Sequence, residues 1–226
     1  MSDLVSGLYK ELLLELSKWS TAELAGFAAQ KGNKYNRELM VVGRAPNGWR
    51  KIGKPCDWQK GDKIPCILGQ IFDANQGCPL AWVTKQWGVN ESGYNTKKSA
   101  FWRVIHRVFE GLLGHSNDWP SHLVWTNLYK ISPNIGGNPT GELLNLQHDI
   151  CIKILKAEIE LYQPKRVLFL TGSDWAKDFL SALEFKSDCK ERTSSGTIFN
   201  GAKVVIMPHP QGKPEEKFVE DVLTSF

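Results

Sequence analysis

The chain has no run approaching the ~20 apolar residues that a bilayer span requires, so no membrane association is expected. Its N-terminal segment has no basic stretch leading into an unbroken apolar run. Leu12, Leu13 and Leu14 are flanked by Glu11 and Glu15, which predicts an amphipathic helix and not a signal peptide. Cysteine is sparse and scattered: Cys56, Cys66, Cys78, Cys151 and Cys189 form no CxxC pair. Neither a disulfide framework nor a zinc knuckle is therefore expected, and a reducing cytoplasm is the simplest compartment. There is no internal repeat and no low-complexity tract. The lack of a Walker loop and of a G-x-G-x-x-G turn disfavours a nucleotide-handling enzyme on a flavodoxin-like sheet.

What is present is globular. With 42% hydrophobic and 23% charged residues over a length of 226, the chain cannot be disordered, collagenous or a coiled coil. One α/β core of this size buries roughly 70–75% of its unfolded surface without disulfide staples. The formal charge of +4 is compatible with a polyanionic partner without requiring one.

Leu4, Leu8, Leu12 and Leu16 repeat at i+4 and predict a first helix. Thr21, Glu23 and the apolar run after them predict a second, ending near Gln30. Four short, continuously apolar runs predict strands buried on both faces: Leu39 to Val42, Leu123 to Thr126, Val167 to Leu170 and Val204 to Met207. Helical periods follow over Phe101 to Leu112, Leu143 to Leu161, Asp174 to Leu183 and Pro214 to Leu223. This alternation predicts an α/β fold of three layers, α/β/α, around a central, mostly parallel four-stranded sheet. Residues 1–226 read as a single domain and a monomer, with N-terminal helices over 1–37. Residues 50–96, rich in Gly, Pro, Lys and Trp and without a clean period, read as an irregular insert or lid.

In an open parallel sheet, ligands bind beyond the carboxyl ends of the strands. The four strand ends carry Gly43-Arg44-Ala45-Pro46-Asn47-Gly48, then Asn127 with Leu128-Tyr129-Lys130, then Gly172-Ser173, and finally Pro208-His209-Pro210-Gln211-Gly212-Lys213. Glycine and proline there also serve as plain turn formers, but four polar strand ends facing one rim predict a site.

This ordered set resembles the uracil-DNA glycosylase superfamily, in particular its thermostable iron–sulfur branch. The resemblance rests on the Gly43-to-Gly48 loop, on Thr126-Asn127-Leu128-Tyr129-Lys130 followed by Pro133 and Asn138-Pro139, on Pro164-Lys165-Arg166-Val167 running to Gly172, and on His209-Pro210. Together these pieces span most of residues 38 to 213. The resemblance implies a partner, DNA in single or double strands, and cleavage of a base from deoxyribose.

That chemistry needs an amide to read the base edge, a donor for the departing anion, an aromatic platform and phosphate contacts. Asn127 offers both donor and acceptor to a flipped pyrimidine; the competing reading is an Asn that caps a turn. His209, between two prolines, suits donation to a base carbonyl, against a turn histidine with no role. Gln211, Gly212 and Lys213 ahead of the last helix suit a phosphate clamp, as do Ser173, Lys130 and Arg44, although ordinary helix starts and N-capping explain several of them. Trp49, Arg50, Lys51, Lys54, Trp58, Lys60 and Lys63 interleave aromatics with cations, a mix that suits stacking and phosphate tracking. Solvated lysines beside core tryptophans is the alternative.

By resemblance, Ala45 and Pro46 line the base, and a stacking aromatic follows a Gly-x-Pro segment. Gly77-Cys78-Pro79 fits, with Leu80 in the aromatic's place and Trp82 as its substitute. Three departures stand out. Arg44 and Ala45 occupy the positions where active enzymes carry a water-positioning acid or Asn, leaving Asn47, or Asp57, Asp62 or Asp73, to hold the water. No apolar wedge follows His209-Pro210. The iron–sulfur ligands are missing, since no cysteine precedes Cys56, Ile131 stands where one ligand belongs, and Cys151 alone matches. The expectation is therefore a cofactor-free, DNA-binding glycosylase that removes uracil or hypoxanthine, using His209 and Asn47 for catalysis. The alternative is an inactive or repurposed member that binds nucleic acid or a nucleobase.

Overall fold

The computed structural model describes residues 3–18, 22–58, 63–72, 77–91, 93–188 and 194–226. Thr21, Lys60, Asp62, Asp73 and Cys189 lie outside the described residues. The chain begins with α1 (Asp3–Leu16), β1 (Leu24–Gly26), β2 (Gln30–Lys31), β3 (Leu39–Gly43) and β4 (Arg50–Gly53). Next come α2 (Ile64–Phe72), α3 (Ala81–Lys85), α4 (Ala100–Leu113), β5 (Leu123–Asn127) and β6 (Ile131–Pro133). The remainder is α5 (Gly141–Tyr162), β7 (Arg166–Phe169), α6 (Ser173–Ala182), β8 (Lys186–Ser187), β9 (Ser194–Thr197), β10 (Lys203–Ile206) and α7 (Glu215–Ser225). The chain divides into two compact units, one of residues Met1–Ala29, Gly43–Asp73 and Asn127–Leu161, the other of Gln30–Val42, Ala74–Thr126 and Tyr162–Phe226.

In the first unit, β1 is the centre of a three-stranded antiparallel sheet, with Ala25 opposite both Lys51 of β4 and Ser132 of β6. The helix expected to end near Gln30 is therefore not formed. Leu24, Ala25, Phe27 and Ala28 are all buried, and a helix of so few residues cannot bury every side of itself without neighbours all round, whereas a central strand does. A Cβ on Gly26 would lie 2.8 Å from Ile71 Cγ1, so any larger residue there would force the Ile71 side chain to shift. The supposed insert is likewise built rather than irregular. Within this unit it supplies β4 and α2, whose Ile64, Ile67 and Ile71 form a buried stripe at helical spacing. Its Trp58 is buried and donates its indole N–H to Ile52 O at 2.9 Å. That side chain belongs to the core and does not stack bases.

The second unit holds a seven-stranded sheet in the order β2-β5-β3-β7-β10-β9-β8. The four strands expected from apolar runs are its consecutive members β5, β3, β7 and β10. The sheet is larger than the expected four strands, and it is mixed. β3, β7 and β10 are parallel, with Val42, Phe169 and Ile206 in register, while β2, β9 and β8 add antiparallel pairings. Those added strands are two to four residues long, too short to leave a period in the sequence. β3 and β5 are buried along their whole length, as continuous Val/Leu/Met/Trp runs demand.

Helix ends are set by glycine where the backbone must turn left-handed. Gly114 at φ 85° closes α4, and Gly172 at φ 82° opens α6.

Candidate active site

The first unit carries the loop that follows β3. Pro46 is buried, Arg44 and Ala45 are half-buried, and Asn47 is exposed at φ 49° beside Gly48 at φ 78°. Two left-handed residues in succession turn the chain sharply, and Asn-Gly is the pair that tolerates this most easily. Backbone hydrogen bonds fasten the start of the loop to the segment beyond β5, from Leu128 N–H to Gly43 O and from Tyr129 N–H to Arg44 O, both 2.9 Å. Its end is fastened to the turn after β6. Gly48 N–H donates to Ser132 Oγ at 3.2 Å and Gly137 N–H to Asn47 Oδ1 at 2.6 Å. Asn47 therefore spends its carbonyl on holding a loop. It is exposed, and its Oδ1 keeps a second lone pair beside the one that accepts from Gly137.

Asn127 is the last residue of β5 and only 2% exposed. Its Nδ2 is buried with no hydrogen-bond partner. An orphaned buried amide donor costs about 1–3 kcal/mol relative to a satisfied one, a cost that a bound ligand or a water would remove. The backbone beneath it is held firmly, because Lys130 Nζ donates to Asn127 O at 2.6 Å and to Glu158 Oε2 at 2.8 Å. The single proton of the Tyr9 hydroxyl is shared between Phe27 O at 3.0 Å and Glu158 Oε1 at 3.3 Å.

Lys130 is fully buried, so its expected contact with phosphate is replaced by this internal ion pair. An ammonium shut into a core is stable only beside a carboxylate, and Glu158 supplies one. Glu158 and Tyr9 were not anticipated. The sequence did contain a signal for the first, since Glu158 interrupts the apolar stripe Ile154, Leu155 and Ile159 of α5.

The second unit carries His209. Gln211 N–H donates to its Nδ1 at 3.3 Å, which in the neutral ring places the proton on Nε2. The ring lies nearly parallel to Phe101, with centroids 6.2 Å apart and planes inclined by 17°. Phe101 in turn contacts Trp125 at 6.3 Å, and Trp125 contacts Trp82 at 6.1 Å. A continuous aromatic cluster thus links Trp82 to His209, with Trp102 buried behind it. Trp82 is half-buried and packs against Tyr94, Trp102 and Trp125, whereas Leu80 is wholly buried. Phe101, the residue beneath the imidazole, carried no distinguishing signal in the sequence.

Ser173 is the exposed first residue of α6, and Gly172 rather than Ser173 holds the N-cap position. Gln211, Gly212 and Lys213 are exposed on a turn closed by Lys213 N–H to Pro210 O at 3.1 Å, with Gly212 at φ 73°. Pro214 caps α7 instead of starting it, and the Glu215 carboxylate is held by Arg103.

An iron–sulfur cluster does not fit these residues. Cys151 is fully buried, its thiol reaches Gln147 Oε1 at 3.5 Å, and burial pushes its pKa up to about 12. Among the described residues no three His, Cys, Asp or Glu side chains form a metal-binding group. Nor is any helix among them long and apolar enough to cross a membrane.

A family model described as the uracil DNA glycosylase superfamily matches residues 29–218. No curated protein matches the chain.

Proposed function

The chain belongs to the uracil-DNA glycosylase superfamily, and on that premise we propose that it binds DNA and hydrolyses the N-glycosidic bond of a deaminated base, uracil or hypoxanthine. The observation that carries this reading is the buried, unpartnered Nδ2 of Asn127 at the end of β5. A carbonyl on the edge of an extruded base supplies the acceptor that this donor lacks. The lysine and glutamate beneath it hold its backbone still, so little ordering remains to be done on binding.

His209 donates Nε2–H to the base as negative charge develops on the departing anion, and a neutral imidazole with a fixed proton is suited to that task. Trp82 offers a face for stacking, and the backbone and side chains of Gln211 to Lys213 bind phosphate. The substrate lies in DNA because the family acts on DNA.

A second reading, a member that recognises a base without hydrolysis, is favoured by one observation. Arg44 and Ala45 stand where an acid activates water, and the Asn47 carbonyl is engaged by Gly137. Excision from end-labelled oligonucleotides containing uracil, hypoxanthine or xanthine, followed by alkaline cleavage, separates the two. Strand scission by the wild type that is lost in Asn127→Ala and His209→Ala is the expected outcome. DNA binding without scission on every substrate establishes the second reading, and normal turnover in both variants overturns the roles of Asn127 and His209.

A further inference from the structure

Extracting a base from a duplex leaves a gap in the stack, and proteins that distort DNA fill such gaps with an apolar side chain. In the loop His209-Pro210-Gln211-Gly212-Lys213 the one aliphatic side chain, Pro210, is buried, and the histidine is the one aromatic. Ile135, on the turn after β6, is 98% exposed, more than any other large hydrophobic residue among those described. Isolated exposed apolar residues are common on protein surfaces, so exposure alone assigns nothing. Two further features set Ile135 apart.

The first is rigidity. Gly136 N–H donates to Pro133 O at 3.1 Å, and Asn134 N–H donates to Glu23 O at 3.0 Å. Gly136 and Gly137 adopt φ 96° and 91°, conformations that leave the turn to glycine. A Cβ on Gly48 would come within 3.0 Å of Asn134 O, so the loop after β3 lies directly against this turn. Isoleucine itself has few rotamers to lose. A stiff side chain on a stiff turn is prepared to enter a base stack at low entropic cost.

The second is placement. The loop from Gly43 to Gly48 is fastened at its start to Leu128 and Tyr129, immediately beyond Asn127, and at its end to Ser132 and Gly137, on either side of Ile135. One loop therefore braces both the orphaned amide and the exposed isoleucine.

We propose that Ile135 is the wedge that enters the DNA stack when Asn127 receives the extruded base. The proposal rests on the glycosylase reading above and concerns duplex substrates. Its test uses the full-length protein and oligonucleotides with 2-aminopurine next to uracil or hypoxanthine, read by fluorescence on binding and by excision on the same strands. Wild type raises the fluorescence of the duplex. Ile135→Ser loses most of that rise, and Ile135→Leu keeps it. Duplex excision by Ile135→Ser falls on the order of tenfold while single-strand excision stays within about twofold, since only the duplex has a gap to fill. No rise with the wild type, an equal rise with Ile135→Ser, or an equal loss of excision on single and double strands overturns the wedge. A serine-sensitive rise without excision of any base leaves the wedge standing and overturns hydrolysis instead.

Discussion

At the scale of single residues, the charges that count are those with no access to water. Lys130 and Glu158 form an ion pair at 0% and 1% side-chain exposure, and removing one partner strands the other charge in the core. Lys130→Met should cost about 3–5 kcal/mol, and Lys130→Met/Glu158→Gln should recover most of it, as measured by urea denaturation. Activity should not recover with stability. The double variant leaves Asn127 O without its Nζ donor, so excision should stay depressed on the order of tenfold, the usual effect of a loosened positioning contact. Equal recovery of both would show that Lys130 serves the fold alone. By contrast Asn127→Ala removes a donor that the folded protein leaves unsatisfied, so it should change the melting temperature little while abolishing excision. A large fall in melting temperature would mean that Nδ2 has a partner in solution.

At the scale of elements, close approach and end-on charge decide how pieces fit. A Cβ on Gly32 would stand 2.1 Å from Ser121 O, a backbone atom that cannot swing aside. Gly32→Ala should therefore cost about 1–3 kcal/mol by forcing β2 away from its neighbour, visible as an earlier urea midpoint. A neutral result would show that this edge of the sheet is soft. Between α4 and α7 the link is ionic. Hydrogen bonds from the Arg103 guanidinium hold the Glu215 carboxyl below the usual carboxylate range. As pH falls, the unfolded chain takes up the proton first, near its ordinary value of about 4.3. The stabilisation is thus complete above that pH and lost as the pH drops through the lower folded-state value. Melting temperatures between neutral pH and pH 3 should fall less steeply for Glu215→Gln than for wild type. Parallel curves would show that the pair contributes nothing.

For the molecule as a whole, the question is which cations meet the phosphates. Lys213 is exposed on the turn before α7. In the other unit, Lys51, Lys54 and Lys63 line a groove of about 420 Å³ floored by Ile52, Trp58 and Ile67. Lys51, Lys54 and Lys63 of the cation-rich segment thus stay at the surface, and Trp58 folds inward. Each phosphate contact adds about 0.9 to the slope of log K against log salt for duplex DNA. Lys213→Ala should lower that slope by roughly one contact, and Lys54→Ala/Lys63→Ala by roughly two, if both regions meet the backbone. A slope that changes with only one of the two variants identifies the DNA-facing region, and no change in either sinks both assignments.

The family, the order of the strand-end loops and the apolar runs at the heart of β5, β3, β7 and β10 were legible in the sequence. Each of these is a local signal: an unbroken run of Val, Leu, Met or Trp must be covered on both faces wherever it lies, and a Gly-Pro or His-Pro loop follows it directly. It also singled out Asn127 and His209, because an amide and an imidazole at strand ends are chemically unusual there. Tertiary structure alone decided which polar residues remain available. Lys130 reads as a surface cation until Glu158, 28 positions later, turns it into a buried one. Asn47 reads as a free loop amide until Gly137, 90 positions away, donates to its carbonyl. The short strands β1, β2, β8 and β9 are held by partners elsewhere in the chain, and a pairing energy supplied by another strand leaves no period in two to four residues. Burial and hydrogen-bond partnership are properties of the packed chain, which is why residue types were legible in the sequence and the internal bracing by Lys130 and Glu158 was not.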